Sequence, residues 1–170
     1  MIGLLLLFGF LGFYSISNFP GIAPVRELDV YSPAAWKAMS HSVEEIRSRV
    51  SLQARSKATV MGMGKYSISS EMAFYGGTDF PDGNPRVVGR GIFPEIFAGD
   101  RGLMWNYWVP RIRLIGRPVL MISFERNDLE RPQFADYFDH VSQIERQGVN
   151  TPDGLITSFY WRVGYDYQIP

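Results

Sequence analysis

A chain of 170 residues is long enough for one domain with a real core and a short appendage, and its 17 basic and 17 acidic side chains leave no formal net charge. A neutral chain offers no electrostatic footprint for DNA or RNA, so nucleic acid is not an expected partner. The absence of cysteine excludes zinc-finger, iron–sulfur and thiol chemistry, and an aromatic content of 15% suits a well-packed domain or one that works against sugars or lipid.

Met1–Ile16, MIGLLLLFGFLGFYSI, contains no charge, and the first charged residue is Arg26. A transmembrane helix needs about 20 apolar residues, so this run is short for one. A secretory signal peptide would carry a positive n-region and a small-residue cleavage site, and the segment shows neither clearly. The preferred expectation is a membrane helix over residues 1–19, truncated at its start. A signal peptide and a short genuine anchor are the other readings. Asn18–Pro24 is a Pro/Gly exit, and residues 20–31 read as linker. Cytoplasmic flanks of membrane helices are rich in Lys and Arg. Residues 17–36 hold only Arg26, beside Glu27 and Asp29, which predicts a non-cytoplasmic side for residues 32–170.

Ser32-Pro33 is a helix start, with Ser at the N-cap and Pro at the first helical position. Trp36, Met39, Val43, Ile46 and Val50 follow at spacings of three and four, which predicts one apolar stripe and a helix ending near Gln53. The apolar run Thr59–Met61 predicts a buried strand. Gly62 and Gly64 then predict a tight turn at φ > 0, and Ile68, Met72 and Tyr75 a helix capped by Ser67 or Ser69. Residues 76–85 read as loop, Arg86–Val88 as a short strand, and 92–108 as loop with a turn of helix. Pro118–Phe124, PVLMISF, predicts a central strand buried on both faces, with the Val60 strand beside it. Arg131–Phe138 suits a short helix, Val141–Gln147 a strand, Thr151–Gly154 a turn, and Thr157–Gln168 a final strand at an edge. Strand, glycine turn and helix in succession point to an α/β class: a three-layer domain around a small mixed sheet.

Gly62-Met63-Gly64-Lys65 fails the phosphate-loop pattern, since Thr59 stands where its first Gly belongs and Tyr66 follows the Lys; Ser67 breaks the dinucleotide pattern. A tight strand-to-helix turn is the plain reading. His41 and His140 lie in no metal or triad motif. Asp79/Asp82 and Asp128/Glu130 are too sparse for a calcium loop. Trp105, Tyr107 and Trp108 either pack in the core or line a groove for sugar or lipid. Arg111, Arg113 and Arg117 are either solvated surface or contacts for an anionic lipid headgroup or a phosphate.

Taken in order, these segments resemble the C-terminal soluble tail of bacterial integral-membrane glycosyltransferases of the protein O-mannosyltransferase and aminoarabinose-transferase superfamily. Ala35-Trp36-Lys37 matches an xGWxELA helix, KYSISSEMAFY over Lys65–Tyr75 a KYxxASELAFY block, and GLMWNYW over Gly102–Trp108 a GLxYxYW block. Gly89-Arg90, Gly116-Arg117 and FYWRVGY over Phe159–Tyr165 complete the pattern. The resemblance implies transfer of a sugar from a polyprenyl-phosphate donor to an extracytoplasmic acceptor at the inner membrane. It also implies that the catalytic carboxylates lie in an upstream loop that this chain lacks. It therefore implies an inactive fragment with no catalytic residue, metal or cofactor of its own. Its implied partners are the bilayer, the missing membrane-embedded part of the same enzyme and a polyprenyl-phosphate sugar. The substrate-binding candidates are Lys65, Tyr66, Glu71, Arg90, Trp105, Tyr107 and Trp108. Two alternatives stand beside it: a single-pass anchored extracytoplasmic binding domain without activity, and a secreted α/β domain behind a signal peptide.

Overall fold

The computed structural model describes residues 33–64, 67–77, 81–93, 96–97, 109–151 and 154–170. The expected membrane helix, the linker and the Ser32 cap lie outside the described residues. Among the described residues, no helix is long and apolar enough to cross a membrane.

The first helix, α1, runs over Pro33–Ala54 and buries Trp36, Met39, Val43, Ile46 and Val50, the stripe read from the sequence. It ends where Arg55 leaves the helical region at φ 53. The Ser51 hydroxyl then accepts the Ala58 N–H at 2.9 Å, which turns the chain back along the helix. Strand β1 (Thr59–Gly62) follows, buried throughout. Helix α2 covers Ser67–Gly76, and β2 covers Val87–Gly89. Strand β3 (Val119–Ser123) is buried at every position, as a central strand covered on both faces must be. The last strands are β4 (Phe138–Val141), β5 (Glu145–Thr151) and the long β6 (Gly154–Tyr167).

These strands make one mixed six-stranded sheet, ordered β2-β1-β3-β6-β4, with β5 also on β6. Strands β2, β1 and β3 are parallel, with Gly62 opposite Gly89 and Val60 opposite Leu120. Strand β6 runs antiparallel to β3, placing Leu120 opposite Val163. The α/β class, the central PVLMISF strand and its Val60 neighbour are as the sequence predicts.

Because side chains alternate along a strand, the sheet has two dissimilar faces. Val60, Leu120, Ile122, Phe159 and Trp161 pack under α1 and α2. Met61, Val119 and Met121 face the other way, onto an aromatic layer around Phe93. The Phe93 ring lies 4.7 Å from Tyr137 and 5.4 Å from Phe134, both edge-on. Among the described residues, this second layer is built from single 3-10 turns and irregular chain rather than helices. The segment expected as a helix over 131–138 is one such turn, Pro132–Asp136.

Four expectations need correction. Neither Gly62 nor Gly64 has positive φ; the glycines that do are Gly77, Gly83 and Gly116. Gly62 is required for space instead, since a Cβ there would lie 2.5 Å from Ser69 Oγ and 2.6 Å from Ser69 N. Ser69 is accordingly no N-cap. Its buried hydroxyl donates to Val88 O at 2.9 Å and accepts the Gly62 N–H at 3.2 Å. The strand expected over 141–147 is interrupted at Ser142–Ile144, where β4 ends and β5 begins along the same side of β6. There the Ser142 hydroxyl accepts the Val163 N–H at 2.9 Å. Finally, β6 is not an edge: Gly164 pairs with Val119 on one side and Val141 on the other.

Two stability measurements follow. Trp36 is 3% exposed and edge-on to Phe124 at 5.6 Å; Trp36→Ala is expected to cost about 3–5 kcal/mol in chemical denaturation. Gly62→Ala is expected to cost about 1–3 kcal/mol, the penalty of overpacking. A gain in stability at Gly62 would mean that α2 is free to move away from β1.

Candidate functional site

In open α/β sheets, ligands bind outside the carboxyl ends of the parallel strands. Here that edge is formed by the residues after Gly62, Gly89 and Ser123. Arg90 leaves β2 directly and donates from Nη1 to the Met63 carbonyl at 3.2 Å. Met63 is itself held by its N–H on Ile122 O at 2.8 Å, so all three parallel strands bear on the position of Arg90. The Arg90 guanidinium lies 4.9 Å from the centre of the Phe97 ring, and that of Arg131 lies 4.6 Å from the same ring. Phe97 is buried, so one aromatic ring orients two cations. The Nε of Arg131 is buried with no hydrogen-bond partner among the described residues. After β3, the Ser123 hydroxyl donates to Asp128 at 2.8 Å and accepts the Glu125 N–H at 3.1 Å, which fixes the departing turn. An edge with two ring-supported guanidiniums is suited to an anionic group, which Arg binds through paired N–H donors.

Of the seven substrate-binding candidates, Arg90 lies on this edge. Lys65 and Tyr66 occur in the connection from β1 to α2, outside the described residues, as do Trp105, Tyr107 and Trp108. Glu71 lies on α2, on the helix-covered side of the sheet rather than beside Arg90. It stands two residues from Ser69, and residues so spaced do not share a helix face. Ser69 points into the sheet, whereas Glu71 lines a cleft of about 570 Å³ with Pro33, Trp36 and Phe74. Burial, and then the Glu71 charge, push the neighbouring Tyr75 phenol above its ordinary pKa. Arg131 and Phe97 were missed by sequence reasoning. The only signal at Arg131 is the following proline, which also marks an ordinary turn. Among the described residues, no group of three or more His, Asp or Glu is placed to hold a metal ion.

The other charged cluster joins α1 to the start of β2. Glu44 accepts from Arg47 Nε at 2.8 Å and from Arg86 Nη2 at 2.6 Å. It borders a second cleft of about 570 Å³, which also takes in Lys37, His41 and Tyr75. Burial raises the Glu44 pKa, but the hydrogen bond and charge of Arg47, and then those of Arg86, outweigh it, and the carboxyl titrates below its ordinary value. These pairings account for the cluster as a structural clamp.

Comparison with protein-family models, with curated proteins and with solved structures finds no match for this chain.

A group whose pKa is lower folded than unfolded stabilises above the unfolded pKa, and that contribution is lost as pH falls through the folded value. Glu44→Gln should therefore lower Tm at pH 7. The gap to the parent chain should close as both are scanned below the ordinary glutamate pKa of about 4.3. A gap that persists in acid would show that Glu44 acts through packing rather than charge.

Proposed function

We propose that this chain is the accessory extracytoplasmic domain of a membrane glycosyltransferase that uses a polyprenyl-phosphate sugar, with the carboxyl edge of its parallel strands as the substrate-recognition surface and the catalytic part supplied by a membrane-embedded region outside this chain. One observation carries the reading. Two of the sequence blocks behind the resemblance are neighbours in the fold: Ser67–Tyr75, the described part of the first, packs beside the strand that leads into Gly89-Arg90. Gly62, just before the first block, is in register with Gly89, and Ser69 within the block hydrogen-bonds both strands.

The chemistry divides accordingly. Sugar transfer from a phosphate leaving group needs a general base for the acceptor and stabilisation of the departing charge. Arg90 and Arg131 offer cations for an anionic part of a substrate. Asp128 is engaged by Ser123 and Glu44 by two arginines, so neither is set up as a base.

The test uses the full chain in detergent. With a polyprenyl-phosphate hexose, no carrier release is expected. Binding of that lipid, or of a phosphorylated saccharide, should weaken about tenfold in Arg90→Gln and in Arg131→Gln, a loss of about 1.4 kcal/mol each. Turnover that disappears on mutating an acidic residue within 33–170 would place a catalytic centre in this chain. Binding of both ligands unchanged in both variants would remove the carboxyl edge from the function.

A further inference from the structure

We infer that the opposite, amino edge of the parallel strands docks on an anionic lipid surface. Four of the five large hydrophobic side chains exposed among the described residues lie there: Leu52 at 80%, Ile112 at 69%, Ile115 at 50% and Ile169 at 43%. The backbone gathers them. The turn after Leu52 leads into Thr59, whose N–H donates to Pro118 O at 3.0 Å, at the start of β3. Gly116 N–H donates to Tyr167 O at 2.9 Å and Tyr167 N–H to Arg117 O at 3.2 Å, which brings the end of β6 beside the 112–117 segment.

Cations interleave with these side chains. Arg111, Arg113 and Arg117 alternate with the isoleucines in sequence, and Arg55 follows Leu52. Lys57 is held by Asp82 at 2.7 Å. That partnership keeps the Asp82 pKa near 2, so the pair is present at any working pH. Among the described residues, the other acids at this edge are Asp166 and Glu44, the latter engaged by Arg47 and Arg86, and cations outnumber acids. Beside Leu52, a cleft of about 470 Å³ is lined by Arg55, by Lys57 paired with Asp82 and by Arg47 paired with Glu44, with Ser48, Ser51 and Ser56 between them. Exposed aliphatic side chains ringed by arginines match a bilayer interface, where the aliphatic groups enter the acyl boundary and the cations meet headgroup phosphates. Protein interfaces favour aromatic anchors in their place.

Docked this way, the Arg90 edge faces away from the bilayer; the docking does not rest on the transferase reading.

The experiment exploits the lack of native cysteine. Ile112→Cys and Phe74→Cys, both at exposed sites, each give the full chain one thiol for an environment-sensitive fluorophore. Phe74 is 79% exposed and lines the Pro33 cleft at the opposite edge. The chains are mixed with vesicles rich in phosphatidylglycerol and carrying brominated acyl chains. Quenching at position 112 and none at 74 is expected, with loss of the signal in phosphatidylcholine vesicles and in the Arg55→Glu/Arg113→Glu variant. Quenching at 74 alone, at both sites equally or at neither overturns the docking. Protection of 112 from iodide without bromolipid quenching also overturns it and assigns the edge to a protein surface. None of these outcomes alters the expected effect of Arg90→Gln on ligand binding, so the two readings fail separately.

Discussion

The arrangement of the domain depends on how closely α2 approaches the sheet. At Gly62 the strand has no side chain on the helix side, and Ser69 occupies the space a Cβ would need. Its hydroxyl then satisfies a donor on β1 and an acceptor on β2. Buried polar groups without partners are costly, so this single hydroxyl both permits and requires the short helix-to-strand distance. A helix held that tightly fixes where the β1–α2 connection leaves the sheet, and with it the position of Arg90 over the Met63 carbonyl. The candidate site is therefore a product of backbone proximity more than of its own side-chain contacts.

The two faces of the sheet solve the burial problem differently. One is covered by two helices whose apolar stripes match the strands below. The other is covered by 3-10 turns that bring Phe93, Phe134, Tyr137 and Phe138 edge to face. Large rings fill an irregular layer with few residues, and their preferred edge-on contacts supply the geometry that a regular helix would otherwise impose. Phe97 belongs to this layer, and its ring supports both guanidiniums. Among the described residues, the buried rings are thus explained by packing, and a sugar-stacking role is not needed to account for them.

How much of this could be read from the sequence differs by element. Helix α1 was legible because five apolar residues recur at helical spacing, and β3 because a continuous apolar run has few alternatives in a sheet covered on both sides. Gly62 and Gly64 marked the right place for the wrong reason. A glycine needed for positive φ and one needed for lack of a Cβ look identical in a sequence; only the partner, Ser69, distinguishes them. Strand β6 was read as a final edge strand from its aromatic and β-branched richness, yet it pairs on both sides and its polar positions are answered by other groups. Arg162, half-buried and with its pKa lowered by burial, donates to Leu129 O at 2.7 Å and Ser142 O at 2.8 Å. At the site, Arg90 was visible beside its glycines. Arg131 and Phe97 were not, because their contacts form across the irregular layer and leave no periodic trace.

The interruption at Ser142–Ile144 has a further consequence, for how copies of this chain meet one another. An open sheet exposes unpaired amides along its outer strands, and these recruit strands from other molecules when the edge is long and straight. Here one border of the sheet is β2, only three residues long. The opposite border is divided between β4 and β5, with another register irregularity at Val149/Asn150 within β5. Among the described residues, neither border offers a long unbroken template on which a second molecule could extend the ladder, although the sheet does not curl into a barrel.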